Sequence, residues 1–400
     1  MNAQPTTTTE HGAPHRVRDT RAQLPRGAVD IVFVLGSLTM GGAEAQLTSV
    51  LEADPGRLQR TRVAIVTLSA LHHQTIDTRL AALGVPVHVV DRAASRFPHF
   101  LWRLVRCLRA LRPRLAHTFL VGSTSTWGRL AAKLAGVPHV LLSDLSLDPA
   151  PSAVQRRLDR LLHRLTTRFL PNARAIVARL EREGATPARI VLLRNGVDLA
   201  RFDPERTASP RASWGVATDA IVVGFLGMFR PEKRPDLLLD ALERIAPQQR
   251  PDLVVMAGDG ALMPALRSRV ARDAWLREHC QLLGVVDDAP TFLAGIDLLV
   301  LPSDTEGLPN AVLEAHAMGV PVIATDVSDV RELVGDAGAV VAPRDPDALA
   351  AAIAHWCARS VHERREAGAR GRARVEADFA MPMAAARFWA AHDDLLEPER

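Results

Sequence analysis

Short apolar runs alternate with helix-period segments along nearly the whole chain, and few folds accept such a pattern. Val29–Leu35, Arg62–Leu68, Val85–Val90, Leu115–Leu120, Val137–Leu142 and Ile190–Leu193 read as strands. They lack the apolar–polar alternation of a strand with one wet face, so they predict a parallel sheet covered by helices on both sides. The intervening helices end near Glu52 and span Ile76–Leu83, Pro98–Leu111, Ser125–Ala135 and about 152–167 and 173–183. After the turn signal Arg194–Asp198 and an irregular linker to Ala217, the alternation restarts at Ile221. It runs through Leu253–Ala257, Gln281–Val286, Ile296–Leu301 and Val320–Ala324, with further helices at about 347–359 and 383–396. The expectation is an α/β chain of two Rossmann-like, doubly wound parallel-sheet domains facing across a cleft. Residues 1–27 are expected as a disordered tail, 28–195 and 196–375 as the two domains, and 376–400 as a C-terminal helix that could cross back to the first domain.

Composition removes several classes. The chain has no apolar run of the length a membrane span needs. Its start has no apolar h-region, so a secretory signal is not expected. Cys107, Cys280 and Cys357 lie far apart with no metal-ligand spacing, which fits reduced thiols in the cytoplasm and no bound metal. Aromatic residues are scarce and tyrosine is absent, so a base-stacking nucleic-acid surface is not expected. Residues 28–195 carry 23 Lys+Arg against 11 Asp+Glu, whereas 196–375 carry 20 against 26. The basic half suits an acidic partner or an anionic membrane surface. Only Lys133 and Lys233 are lysines, so a lysine in a loop with other chemistry-bearing residues draws notice.

Glu306 and Glu314 bracket such a loop. They follow the apolar run Ile296–Leu301 and enclose Gly307-Leu308-Pro309-Asn310. Pro309 suits a helix start and Gly319 the position past its end. The free N–H groups of that start attract phosphate. Two carboxylates beside it make sense if the ligand also carries hydroxyls, because an ionised carboxylate only accepts hydrogen bonds. A nucleotide sugar has both features.

Other strand-to-helix loops agree. Gly41-Gly42 follows the first strand and would let backbone N–H groups approach a phosphate. The loop lacks the spaced third glycine of the dinucleotide fingerprint, which disfavours NAD. Phe229–Pro235 places Arg230 and Lys233 at the carboxyl edge of the second sheet, where cations neutralise a departing diphosphate. Gly258-Asp-Gly260 reads as a turn that shapes the cleft. His316 reads as a packed histidine, and His117, at a strand's carboxyl end, as a possible site residue.

Taken together, Gly41-Gly-Ala-Glu44, Asn195-Gly-Val-Asp198, Arg230-Pro-Glu-Lys233 and Glu306–Glu314 with Ala317-Met-Gly-Val-Pro321 resemble the retaining nucleotide-sugar glycosyltransferases of family 4, with the GT-B fold. The resemblance spans about residues 29 to 395. It implies that Glu306 holds donor-sugar hydroxyls, Glu314 the ribose, and Lys233 the diphosphate. It implies further that N–H groups at Leu308 to Asn310 meet sugar or phosphate, that Gly41-Gly42 faces the diphosphate, and that the backbone at Val285 and Val286 meets the base. No metal or other cofactor is implied. Two positions depart from the family pattern. Met228 stands where an arginine is usual, leaving Arg230 as the replacement, and His117-Thr-Phe119 lacks the second histidine of a His-x-His loop.

The expected function is transfer of a sugar, with retention, to a glycan or lipid-linked acceptor in cell-surface polysaccharide or glycolipid synthesis. The expected place is the cytoplasm, with peripheral contact to an anionic membrane through the basic, amphipathic helices at 98–111 and 152–167. The alternatives are a catalytically inactive nucleotide-binding partner of the same fold and a nucleotide-sugar epimerase.

Overall fold

Two six-stranded parallel sheets organise the computed structural model, which describes residues 15–17, 27–39, 41–119, 123–147 and 153–396. The first sheet contains β1 (Ile31–Leu35), β2 (Val63–Thr67), β3 (Val87–Val89), β4 (Leu115–Phe119), β5 (His139–Asp144) and β6 (Arg168–Pro171). The second contains β7 (Val222–Leu226), β8 (Leu253–Ala257), β9 (Cys280–Gly284), β10 (Leu298–Leu301), β11 (Val322–Thr325) and β12 (Gly338–Val341). Their spatial orders are β3-β2-β1-β4-β5-β6 and β9-β8-β7-β10-β11-β12, the same doubly wound order twice. Central strands such as Ile31–Leu35 and Leu253–Ala257 are buried along their whole length, because helices cover both faces of each sheet. Strand order reverses between β1 and β4 and between β7 and β10. In doubly wound sheets, ligands bind outside the carboxyl ends of the strands at such switch points.

Three elements differ from the sequence reading. Ile190–Leu193 is not a sheet strand; it runs beside β6, with Val191 N–H donating to the Phe169 carbonyl at 2.9 Å and Leu193 N–H to Pro171 at 2.7 Å. The edge belongs to Arg168–Pro171, whose terminal arginine and proline disguise it. Edge strand β12 also went unread; at its start a Cβ on Gly338 would lie 1.8 Å from the Val322 carbonyl oxygen, so a glycine is required. The Val361–Asp378 helix is started by a Ser360–Glu363 capping box but is too arginine-rich to show an apolar stripe.

Within the segment expected as a tail, His15–Arg16 pairs antiparallel with Leu71–His72, and Arg16 bonds Asp91 at 3.0 Å. These ionic and backbone contacts explain why His15–Arg16 takes up strand geometry. Residues 1–14 and 18–26 lie outside the described residues. The three cysteines are buried free thiols.

The C-terminal helix Met381–Leu396 crosses to the first sheet. Met381, Ala385, Phe388 and Trp389 share a core with Ile31, Phe33 and Leu47. Its approach runs alongside the segment that leaves the first sheet. Val197 N–H donates to the Phe379 carbonyl at 2.8 Å, and Met381 N–H donates back to Val197 at 2.9 Å.

Candidate active site

The loops after β1, β7 and β10 carry most of the residues singled out above. After β10, Glu306 is 5% exposed, and its carboxylate accepts from Ser303 Oγ at 2.7 Å. After β7, Lys233 reaches it: Nζ lies 2.7 Å from Oε1 and 2.6 Å from Oε2. The two loops are tied through the backbone as well, Asp304 N–H donating to the Glu232 carbonyl at 2.8 Å. Asp304 also pairs with Arg344 at 3.0 Å and Arg234 at 3.4 Å. Under the Lys233 loop, the turn 258–260 acts as a prop. Gly258 has φ +147°, and a Cβ there would lie 1.9 Å from the Gly227 carbonyl oxygen. Asp259 carbonyl accepts the Phe229 N–H at 2.9 Å.

The loop 305–310 closes against the first domain. Thr305 Oγ1 donates to the Leu147 carbonyl at 2.8 Å. A Cβ on Gly307 would lie 2.2 Å from the Leu145 carbonyl oxygen, so a glycine is needed for this approach. Leu308 and Pro309 are buried behind it. Asn310 opens the Asn310–Ala317 helix, donates to the Gly42 carbonyl at 3.3 Å and accepts from Asn195 Nδ2 at 2.7 Å. Gly41 and Gly42, at the start of the Gly42–Ala53 helix, therefore face the second domain's loop. Asn195 and Asn172 do not stand out individually in the sequence; their amides meet at 3.4 Å, and Asn195 carries the contact on to Asn310 in the second domain.

Electrostatics differ between the carboxylates. Glu314, one turn into the Asn310–Ala317 helix, is half-buried and takes no hydrogen bond to its carboxylate from any described side chain. Burial pushes its carboxyl up to about 7, with Arg201 pulling the other way. Glu44, on the first domain, is also raised to about 7 by burial, opposed by a bond to its own backbone and by Arg230. Arg230 is exposed, as is Met228, and lies 3.9 Å from Glu232. Val286 is half-buried in the turn after β9, beside the exposed Val285.

His117 does not join this group. It is fully buried in the first-domain core, where Nδ1 meets His392 Nε2 at 3.0 Å and Nε2 meets Ser143 Oγ at 2.8 Å. Burial, reinforced by His392, holds it well below the usual histidine range, hence neutral. The expectation of a site histidine is corrected for a physical reason: β4 is central, and the C-terminal helix covers this position. His316 is likewise buried and lowered to about 4 by burial, as a packed histidine should be.

The arrangement pairs one cationic loop with one carboxylate loop on the second domain, and sets helix-start glycines opposite them. It can hold a ligand bearing both hydroxyls and phosphates. Residues 220–359 match the family described as Glycosyl transferases group 1, and residues 40–201 match Glycosyltransferase Family 4. The UDP-Gal:alpha-D-GlcNAc-diphosphoundecaprenol alpha-1,3-galactosyltransferase of Escherichia coli is 28% identical over 65% of this chain and 70% of that protein. The D-inositol 3-phosphate glycosyltransferase of Rhodococcus jostii is 30% identical over 85% of this chain and 75% of that one. In fold, the chain is similar to Anabaena Alr3699/HepE, crystallised with UDP and glucose, at TM-score 0.77 and 21% identity over 92% of this chain and all of that one.

Proposed function

The chain belongs to the family 4 glycosyltransferases, and from that premise we propose that it moves a sugar from a nucleoside diphosphate to a lipid-linked glycan acceptor, with retention at the anomeric carbon. The carrying observation is the Lys233–Glu306 pair at the switch point of the second sheet. Glu306 accepts hydrogen bonds from donor-sugar hydroxyls, and Glu314 from the ribose. Lys233 and Arg230 take up the charge of the departing diphosphate without a metal ion. N–H groups at Gly307, Leu308 and Asn310 and at Gly41-Gly42 meet the sugar and phosphates, Pro309 fixes the loop's entry to the helix, and the backbone at Val286 meets the base.

The reaction breaks the bond from the anomeric carbon to the diphosphate oxygen, which leaves with the electron pair. An oxocarbenium-like state spans the interval. The acceptor oxygen bonds the same face, and its proton passes to the leaving phosphate. No protein nucleophile is assigned.

The acceptor side falls to the first domain. A groove there is lined by Arg92, Arg96, Phe97, Phe100 and Trp127. Phe97 is 66% exposed, Trp102 54% and Leu161 61%. Arg106 stacks 5.2 Å over Trp102. Exposed apolar groups among arginines suit peripheral contact with an anionic leaflet on its cytoplasmic side, where a lipid-linked acceptor would be met. Among the described residues no helix is long and apolar enough to cross a membrane. The proposed setting is cell-surface polysaccharide or glycolipid synthesis. A thermal-shift screen over UDP-, GDP- and ADP-sugars tests the donor assignment, since a ligand of the native fold raises the melting temperature. A UDP- or GDP-sugar is expected to score; silence from all three would remove the assignment.

A further inference from the structure

Glu44 has no part in the roles above, yet it stands among the groups that have them. It is the third residue of the Gly42–Ala53 helix and is 6% exposed. Its carboxylate folds back over the helix start: a Cβ on Gly41 would lie 2.3 Å from Oε2. On the other flank, a Cβ on Gly42 would lie 3.1 Å from Asn310 Nδ2. Arg230 acts on the carboxylate from the second domain, and is otherwise only 3.9 Å from Glu232 and half in solvent. A buried acid, a helix start and an under-used guanidinium thus converge between two glycines and the facing loop.

We propose that Glu44 is a positioning residue that fills the phosphate cradle between the domains while the cleft is empty, and yields it to the donor diphosphate with uptake of one proton. This rests on the donor assignment made above. A helix start and an arginine favour an anion, and the carboxylate supplies one. A second anion arriving beside it raises the cost of its charge, so the carboxylate leaves the cradle as the neutral acid. The proton comes from solvent and ends on a carboxyl oxygen; no bond to the donor forms or breaks. Burial already brings this carboxyl to about 7, so the uptake is easy near neutrality. Neighbouring charged groups are engaged elsewhere: Arg79 with Glu52, Arg57 with Asp393, and Lys233 with Glu306. Asp77 and Asp394 lie further along the packed helices, and are held by His72 and Arg168. Arg387, on the C-terminal helix, is exposed.

The test is calorimetric titration of wild type and Glu44→Gln with UDP-glucose and GDP-mannose, whose diphosphates do not titrate near neutrality. For wild type, Kd is expected to weaken by about tenfold per pH unit above about pH 7, and buffers of different ionisation heat to report uptake of about one proton at about pH 8. Glu44→Gln is expected to lose that slope and that proton, keeping only the dependence that Glu314 at the ribose contributes to both proteins, with an unchanged melting temperature below about pH 6. Identical pH profiles for the two proteins would overturn the proposal. So would binding by Glu44→Gln about tenfold or more weaker than wild type at about pH 6, since Glu44 would then be a donor contact. Both results leave the donor assignment standing. Absence of binding of either sugar nucleotide to wild type at every pH would overturn the donor assignment, and this proposal with it.

Discussion

Lys233 Nζ touches both carboxylate oxygens of Glu306, at 2.7 and 2.6 Å, and so joins the loops that follow β7 and β10. A cation held at one end by a buried acid is aimed rather than free. Lys233→Ala is expected to lower kcat by about 10²–10³, the usual loss for one well-placed charge stabiliser. Steady-state transfer assays check this. Turnover equal to wild type would take Lys233 out of the diphosphate role.

At Gly307 the second domain's loop passes close against first-domain backbone. Its replacement by alanine puts a methyl group 2.2 Å from the Leu145 carbonyl oxygen, against backbone that cannot step aside cheaply. Gly307→Ala is expected to cost about 1–3 kcal/mol in stability, or to hold the domains apart and raise KM for the donor. Denaturant titration with donor kinetics decides. A variant indistinguishable from wild type in both would mean that the close approach is dispensable.

His117 offers the opposite expectation. His117→Ala removes its bonds to His392 and Ser143 and leaves a cavity under Phe119 and Phe388. The stability cost should be about 2–5 kcal/mol. Turnover per folded molecule, measured well below the melting point, should stay within about twofold, because no reacting group is near. A large kcat loss in a fully folded variant would return His117 to the active site.

Glu314 makes a prediction about pH. Its carboxyl is raised from 4.5 to about 7 by burial, so the native state stays protonated while the unfolded state ionises. Its contribution therefore erodes stability as pH climbs from 4.5 to 7 and is constant above. Glu314→Gln should be more stable than wild type by about 1–3 kcal/mol at about pH 8, relative to their difference at about pH 4. Glu44 and Asp144, raised to about 7 in the same way, keep part of the slope in the variant. Parallel denaturation curves at the two pH values would show that Glu314 ionises normally.

For the membrane, wild type should co-sediment with vesicles rich in phosphatidylglycerol at low salt, and less at high salt. Trp102→Ser with Leu161→Ser should reduce the bound fraction severalfold while transfer to a soluble acceptor persists. Retention of both proteins by neutral vesicles alone, or by none, ends the membrane reading; concentration-dependent self-association instead would make this face a contact between copies.

Much of the fold was legible because buried parallel strands write themselves as continuous apolar runs. Ile31–Leu35 and Leu253–Ala257 were found for this reason. The edge strands Arg168–Pro171 and Gly338–Val341 were not, because an edge needs less apolar surface and tolerates arginine and proline. In the site, Glu306, Lys233 and Asn310 could be gathered from their places after strands, since doubly wound topology delivers such loops to one end. What sequence spacing hides is direction. His117 reads as lying at a strand's carboxyl end like the others, yet it is the middle residue of β4 and the C-terminal helix roofs it over. Leu158 and Leu161 follow a core-like pattern but are 37% and 61% exposed. Both outcomes depend on which distant segment covers a face, and local pattern carries no record of that.

The side-by-side crossings at Val197 and Met381 have a mechanical result. Two stretches of chain crossing at one spot brace each other, so the loss of either weakens the joint between the lobes. The final sixteen-residue helix rides with the opposite lobe from the sheet that precedes it. Trimming the C-terminus at that point would thus not shorten a loose end: it would strip the lid from the first-domain core and cut one of the two straps that tie the lobes together.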